Sequence, residues 1–344
     1  MSPIRILAAT CVALSVAATA CTTSDGDAGV VNVYSHRHYE ADQEIFRRFT
    51  EQTGIVVNVV SASADELITR LENEGAGSPA DVLITVDAGR LHRARSRDLL
   101  QPIESELLDA NVPEALRDRD GYWFGLTQRA RILVYHTGRV QPSDLSTYED
   151  LADAKWQGRL LVRSSSNVYN QSLLASIIAN DGAEAAERWA AGIERNLARD
   201  PSGGDSDQIK AVAAGAGDVA ISNSYYLARL MISDNPDDRR VTEQVAPFFP
   251  NQDGRGTHVN VSGAGVTRHA PNRENAIRFI EFLSENEAQS LFAEANGEYP
   301  VKPGVAWSTI LQSWGEFKAD TLNLTVLGEL NDDAVRIADR VQWR

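Results

Sequence analysis

Cysteine is nearly missing from this chain. There are two in 344 residues, Cys11 and Cys21, and both fall within the first 21 positions. A disulfide framework is therefore excluded for the rest of the chain, and a domain of this length does not need one. Basic residues are also short: 33 Lys and Arg face 48 Asp and Glu, a net charge of −15. That balance argues against nucleic acid as a main partner, and its even spread fits a solvated surface. Past the N-terminus no apolar run is long enough to span a bilayer. Internal repeats, long low-complexity tracts, a Gly-rich nucleotide loop, an H-E-x-x-H motif and a Ser-His-Asp spacing are all missing. Tyrosine is scarce, with nine residues, so where the tyrosines fall carries information.

What is present begins with "MSPIRILAATCVALSVAATAC". One early basic residue, Arg5, precedes an apolar stretch that ends in Ala18-Thr19-Ala20-Cys21. This is the pattern of a signal peptide over 1–20. The last four residues resemble a bacterial lipobox, which implies that Cys21 carries lipid and that 21–29 form a polar tether. Loss of Arg5 then takes the charge from −15 to −16. The expected location is extracytoplasmic, either lipid-anchored to the outer face of the cell membrane or periplasmic.

The remainder, 43% hydrophobic and 24% charged over the whole chain, alternates strand, polar turn and helix. "VVNVYS" reads as a strand and "ADQEIFRRFTEQTG" as a helix closed by Gly54; "IVVNVVSAS", "ADELITRLENEG" and "ADVLITVD" continue the alternation. It restarts with "GRLLVRSSS" (158–166), "NQSLLASIIAND", "DVAIS" and the helix after Tyr225. Such alternation predicts α/β architecture with two doubly wound mixed sheets. Two extended runs, 129–140 and 257–269, read as crossover strands joining two lobes over a cleft. The first lobe is expected over 30–131 and 257–306, the second over 132–256 and 307–344.

Three strand-to-helix junctions then draw attention. "YSHRHYEAD" places His38 and Tyr39 after the first strand; "SSSNVYNQS" places Tyr169, and "SNSYYLAR" places Tyr225 and Tyr226, at matching positions. Ligands of doubly wound folds sit beyond the carboxyl ends of the strands, so cleft closure would gather four phenols and one imidazole. A neutral phenol titrates near pH 10, but a hard, highly charged cation displaces its proton. Anionic oxygen donors with imidazole fit Fe3+ better than Zn2+, Ca2+ or Mg2+. Fe3+ with four phenolates and a neutral imidazole leaves one excess negative charge. Arg37, and less directly Arg129 and Arg131, stand near enough in the sequence pattern to offset it.

The ordered strings "YSHRHYEAD", "DVLITVDAGRL", "VRSSSNVYNQSL", "GDSDQIKAVAAGAGDVAISNSYY" and "HVNVSGAGVTRHAPN" resemble the ferric-iron-binding components of bacterial ABC importers. The resemblance runs from about Val31 to Val301. It implies the two-lobed type II periplasmic-binding-protein fold and, in the type with one histidine and four tyrosines, the ligand set His38, Tyr39, Tyr169, Tyr225 and Tyr226. It also implies a permease and its ATPase as partners, ferric iron as cargo with or without a small synergistic anion, and a monomeric carrier rather than an enzyme. Two positions depart from or extend the pattern. His36 stands where the family usually has a small residue, so two histidines compete, and His38 is preferred for its place beside Tyr39. Asp87 occupies about the place where some relatives supply an acidic ligand, and is expected here to cap the next helix.

Two other readings keep part of this pattern. A receptor of the same fold for an oxyanion, polyamine or iron chelate would leave four converging tyrosines unexplained. A ferric-tyrosinate oxygenase needs an open coordination position, and five protein donors leave little room for one. His92, His136, His258 and His269, the tryptophans Trp123, Trp156 and Trp189, and the strand tyrosines Tyr34 and Tyr135 read as packing residues.

Overall fold

The computed structural model describes residues 29–37 and 39–344. The expected signal peptide, tether, Cys21 and His38 lie outside the described residues. The first half of the chain runs β1 (Val30–Ser35), α1 (Glu40–Thr53), β2 (Val56–Ser61), α2 (Ala64–Glu74), β3 (Val82–Val86), α3 (Ala88–Ser96), β4 (Leu100–Gln101), α4 (Glu106–Asn111) and β5 (Phe124–His136). The second contains β6 (Leu160–Leu161), α5 (Val168–Asp181), α6 (Ala183–Arg195), α7 (Asp205–Ala213), β7 (Val219–Asn223), α8 (Ser224–Ile232), α9 (Pro236–Thr242) and β8 (Val245–Phe248). The chain then returns through β9 (Val259–Thr267), α10 (Arg273–Leu283), α11 (Asn286–Asn296) and β10 (Tyr299–Pro300). It ends in α12 (Thr309–Ser313), α13 (Thr325–Glu329) and α14 (Asn331–Arg340).

Local chemistry explains most boundaries. Gly54 ends α1 in the left-handed region at φ 74° and returns its N–H to Thr50. Ser63 and Glu66 cap α2 reciprocally. The apolar face of α1, Ile45, Phe46 and Phe49, is buried against Phe279 and Phe282 of α10, with Phe49 and Phe279 edge to face at 5.1 Å. β3 and β9 are buried along their whole length, as strands covered on both faces must be. In β9, Gly263 has no substitute: a Cβ there would stand 2.6 Å from the Phe124 carbonyl oxygen of β5.

The sheets are mixed, as expected. β2, β1 and β3 are parallel, β9 runs antiparallel to β3, and β5 runs antiparallel to β9; β6 and β7 are parallel, with β7 and β8 antiparallel to β5. One strand belongs to both. Up to Ala130, β5 pairs with β9; from Arg131 onward it pairs with β7 and β8. The second extended run is a strand as expected, β9 over Val259–Thr267, but the chain reaches it through turns. Residues 249–258 are turn-rich rather than extended, with Gly256 at φ 98° and Thr257 bridging to Ala319, so β9 pairs only with first-lobe strands and β5. The strand expected over 158–166 shrinks to Leu160–Leu161, because Asn170 bonds the carbonyls of Arg163 and Ser164 and turns the chain into α5.

The tail also touches both lobes. Asn323 and Leu324 bond backbone groups at Glu114 and Ala115, and Gly328 of α13 abuts His92 of α3. Trp343, past α14, meets Trp189 of α6 edge to face at 5.9 Å. No helix among the described residues is long and apolar enough to cross a membrane.

At the turn-rich crossing, His258 is 4% exposed and its carbonyl receives the N–H of Arg131. Burial, then Arg131, Arg255 and Arg129, push its imidazole from 6.5 down to about 3. It is neutral when folded and protonates when unfolded below pH 6.5, so the unfolded state binds more protons between pH 3 and 6.5. Stability should therefore fall with falling pH in that window, by up to about 1.4 kcal/mol per pH unit from this residue. Urea midpoints of the parent and His258→Asn proteins at pH 7, 6 and 5 check this: the parent should lose more stability than the variant on acidification.

Candidate functional site

The junctions converge as the sequence suggests. Tyr169 is the second residue of α5, whose start is fixed by the Asn167 side chain accepting the Tyr169 N–H at 3.0 Å. Tyr225 and Tyr226 are the second and third residues of α8, and Ser224 beside them accepts the N–H of Ala130 from β5. Tyr39 occupies the N-cap of α1. All four phenols therefore stand at helix starts, where the unpaired N–H groups and the helix dipole favour negative charge.

Their mutual geometry is close. The Tyr169 and Tyr225 hydroxyls are 3.2 Å apart, and the Tyr225 and Tyr226 rings stack with centroids 4.2 Å apart, tilted by 31°. Tyr39 comes from the first lobe and packs between the guanidinium groups of Arg37, 4.9 Å from its ring, and Arg229 of α8, 5.4 Å away. The site thus spans both lobes. Gly297, after α11, touches Ala228 of α8 alongside it.

Burial raises the pKa of Tyr225 well above its ordinary value, and the neighbouring Tyr169, Tyr226 and Tyr39 add to the rise. Burial likewise raises Tyr169, with Tyr226 adding and Arg129 opposing. Tyr39 is raised by burial and Glu298, against Arg37, Arg129 and Arg229. These phenols are neutral at pH 7 until a cation enters. Ionising them together would require a positive species among them.

The three arginines differ sharply. Arg37 is 4% exposed and already matched, with Asp42 at 3.1 Å and Glu298 at 2.9 Å. Arg131 is matched by Asp205 and bonded to Asn223 and Asn170. Among the described residues, Arg129 has no ion pair with a carboxylate. It is 1% exposed and gives one Nη1 bond to Ser262, while Nε and Nη2 have no hydrogen-bond partner among the described residues. Burial pulls its guanidinium down, yet Glu298, Tyr169, Tyr225 and Asp87 leave it above the usual value. Its Cζ stands 6.0 Å from the Tyr169 ring centre. Arg129 is the charge held in reserve at this site.

Other candidates resolve as follows. Asp87 caps α3 by accepting the Gly89 N–H at 2.8 Å and is wholly buried, which raises its pKa. His36 places Nδ1 3.3 Å from the Ala62 carbonyl oxygen on the first lobe. Trp123, Trp156, Trp189, Tyr34 and Tyr135 are core residues. Sequence reasoning missed Glu298, Asp205, Arg229 and Arg163, whose guanidinium stands 5.5 Å from the Tyr169 ring and 3.5 Å from Asp205. Arg229 carried a signal, standing four residues after Tyr225 on one helix; Glu298 and Asp205 carried none, since their pairing is set by distant elements. Among the described residues, no group of three or more His, Cys, Asp and Glu is placed to hold a metal.

Comparison with known proteins places the chain among iron-related relatives by sequence and fold. The chain is 51% identical over 319 residues to "Iron uptake protein A1" of Synechocystis, covering 93% of this chain and 89% of that protein. A Trichodesmium protein solved in complex with iron and citrate ligands superposes with a TM-score of 0.90 at 53% identity, covering 92% of this chain and all (100%) of that one. The ferric binding protein of Campylobacter jejuni superposes at 0.86 with 43% identity, over 91% of this chain and 100% of the other. The fold is that of the type II periplasmic binding proteins. The family model for bacterial extracellular solute-binding proteins matches residues 44–319, and the chain belongs to that family.

Proposed function

We propose that this chain is an extracytoplasmic ferric-iron carrier that encloses Fe3+ between its lobes and delivers it to an ABC-type importer. The observation that carries this reading is the cluster of Tyr169, Tyr225 and Tyr226 at two helix starts, beside the unmatched Arg129. Tyr39 and His38 of the first lobe complete the ligand set. Four phenolates and a neutral imidazole give Fe3+ a net charge of −1, which the Arg129 guanidinium brings to zero. A small anion that joins the coordination sphere would meet the same guanidinium through Nε and Nη2. The lobe division expected from the sequence, with Cys21 lipidated and a permease and its ATPase as partners, belongs to the same reading. So does a monomeric state. On this reading the chain acts by binding and release, since five protein donors leave little room for a reacting substrate.

Titration of the protein with ferric citrate should raise a broad visible tyrosinate-to-iron band that saturates near one equivalent. Tyr169→Phe, Tyr225→Phe and Tyr226→Phe should each weaken the band and cut affinity by more than the roughly 10–100-fold typical of outer-shell losses. A band that never forms at any iron concentration would sink the ferric reading. Replacing the compensating charge, Arg129→Gln, should lower affinity by about 10–100-fold while the band survives.

The pH dependence has a fixed sign. Tyr39, Tyr169 and Tyr225 are protonated before loading, so iron binding expels protons, and acidification favours release. Those three phenols alone imply about three protons per iron, hence up to about a thousandfold weaker binding per pH unit lost. Competition against citrate at pH 8, 7 and 6, corrected for the protonation of citrate, measures the slope.

A further inference from the structure

Asp87 holds an unusual backbone. At φ 79° and ψ 124° it sits in a region that residues with a Cβ avoid, and it does so with no exposure to solvent. Its carboxylate is spoken for on every side. Oδ1 accepts from Gly89 N at 2.8 Å and from Ser172 Oγ at 2.7 Å, and Oδ2 accepts from Asn260 Nδ2 at 2.9 Å. Asn260 in turn accepts the Ala88 N–H at 2.9 Å. A Cβ on Gly89 would stand 3.1 Å from Oδ1, so the open side of that glycine is what admits the arrangement.

Two of these three partners differ from the third in one respect. Gly89 and Asn260 lie on α3 and β9 with Asp87 itself, in the first lobe. Ser172 lies on α5 of the second lobe, one helical turn after Tyr169. A movement that parts α5 from α3 would keep the bonds to Gly89 and Asn260, made within the first lobe, and lose the one to Ser172. Water would then solvate the carboxylate, and the serine hydroxyl could turn back to a carbonyl of its own helix. A bond made in only one of two states is the condition for a contact to bias their equilibrium.

We propose that Asp87 and Ser172 are an interlobe latch: a buried, charge-assisted hydrogen bond that holds α5, with Tyr169 near its start, against the first lobe and so sets the lifetime of the loaded state. Both are positioning residues; neither touches the metal. The inference rests on the carrier reading above. It gives Asp87 a part in closure beyond capping α3, and explains why a strained conformation is kept at a wholly buried carboxylate.

The test uses the whole protein and the Ser172→Ala and Asp87→Asn variants. Iron release to excess EDTA is followed by decay of the visible band, and the iron-free proteins are measured by small-angle scattering. Ser172→Ala should release iron about tenfold faster, the size expected for losing one hydrogen bond to a charged group. Its saturated band should be unchanged in position and intensity, and its iron-free form should have a larger radius of gyration. Asp87→Asn, which keeps the acceptor but loses the charge, should fall between. Release from Ser172→Ala within about twofold of the parent overturns the latch, as does an unchanged radius or an altered saturated band. A parent protein with no band refutes the carrier reading instead, and the scattering comparison still decides the latch.

Discussion

Everything at this site follows from the cost of placing like charges together away from water. Phenols buried together can ionise only beside a positive partner, and the guanidinium groups of Arg129 and Arg229 lie near these rings. Arg129 is buried and unmatched, whereas its neighbours Arg37 and Arg131 are each neutralised by carboxylates on the spot. Glu298 and Asp205 thus matter as much as the tyrosines. Arg37 is faced by both Asp42 and Glu298, and Arg131 shares Asp205 with Arg163, so these charges are met where they stand.

Much of this was legible in the sequence because it depends on local order. A strand followed by a capped helix places its junction residues at the sheet's ligand-holding edge, so Tyr39, Tyr169, Tyr225 and Tyr226 could be chosen from their neighbours alone. Gly54 and the Ser63–Glu66 box marked helix ends for the same reason. What stayed hidden depends on chain folding over long separations. Arg37 reaches Glu298 across 261 residues, and no periodicity announces that partner. Arg37 looked like the better counter-charge because it sits inside the motif, and tertiary pairing shows its charge already spent. The extended run from Thr257 to His269 is a strand over Val259–Thr267, but its pairing with β3, β4 and β5 and the bridge from Thr257 to Ala319 depend on distant segments that no local pattern announces.

The two lobes are not equivalent contributors. The second lobe presents Tyr169, Tyr225 and Tyr226 as a preassembled group, already in mutual contact. The first lobe brings Tyr39, held between one arginine from each lobe. Such a division suits sequential capture, in which a half-site binds first and closure adds the remaining donors while water leaves. The same closure pairs Ser172 with Asp87, so formation of the coordination sphere and formation of the lobe interface are one event.

The strand shared by both sheets has a thermodynamic consequence. β5 gives its first half to one lobe and its second half to the other, without a break in the backbone. Disordering either sheet strips pairing partners from a strand whose remainder is still in register in its neighbour. Loss of structure in one lobe therefore propagates to the other through hydrogen bonds rather than through a slack tether, and the connectivity favours a single cooperative melting transition over two independent ones.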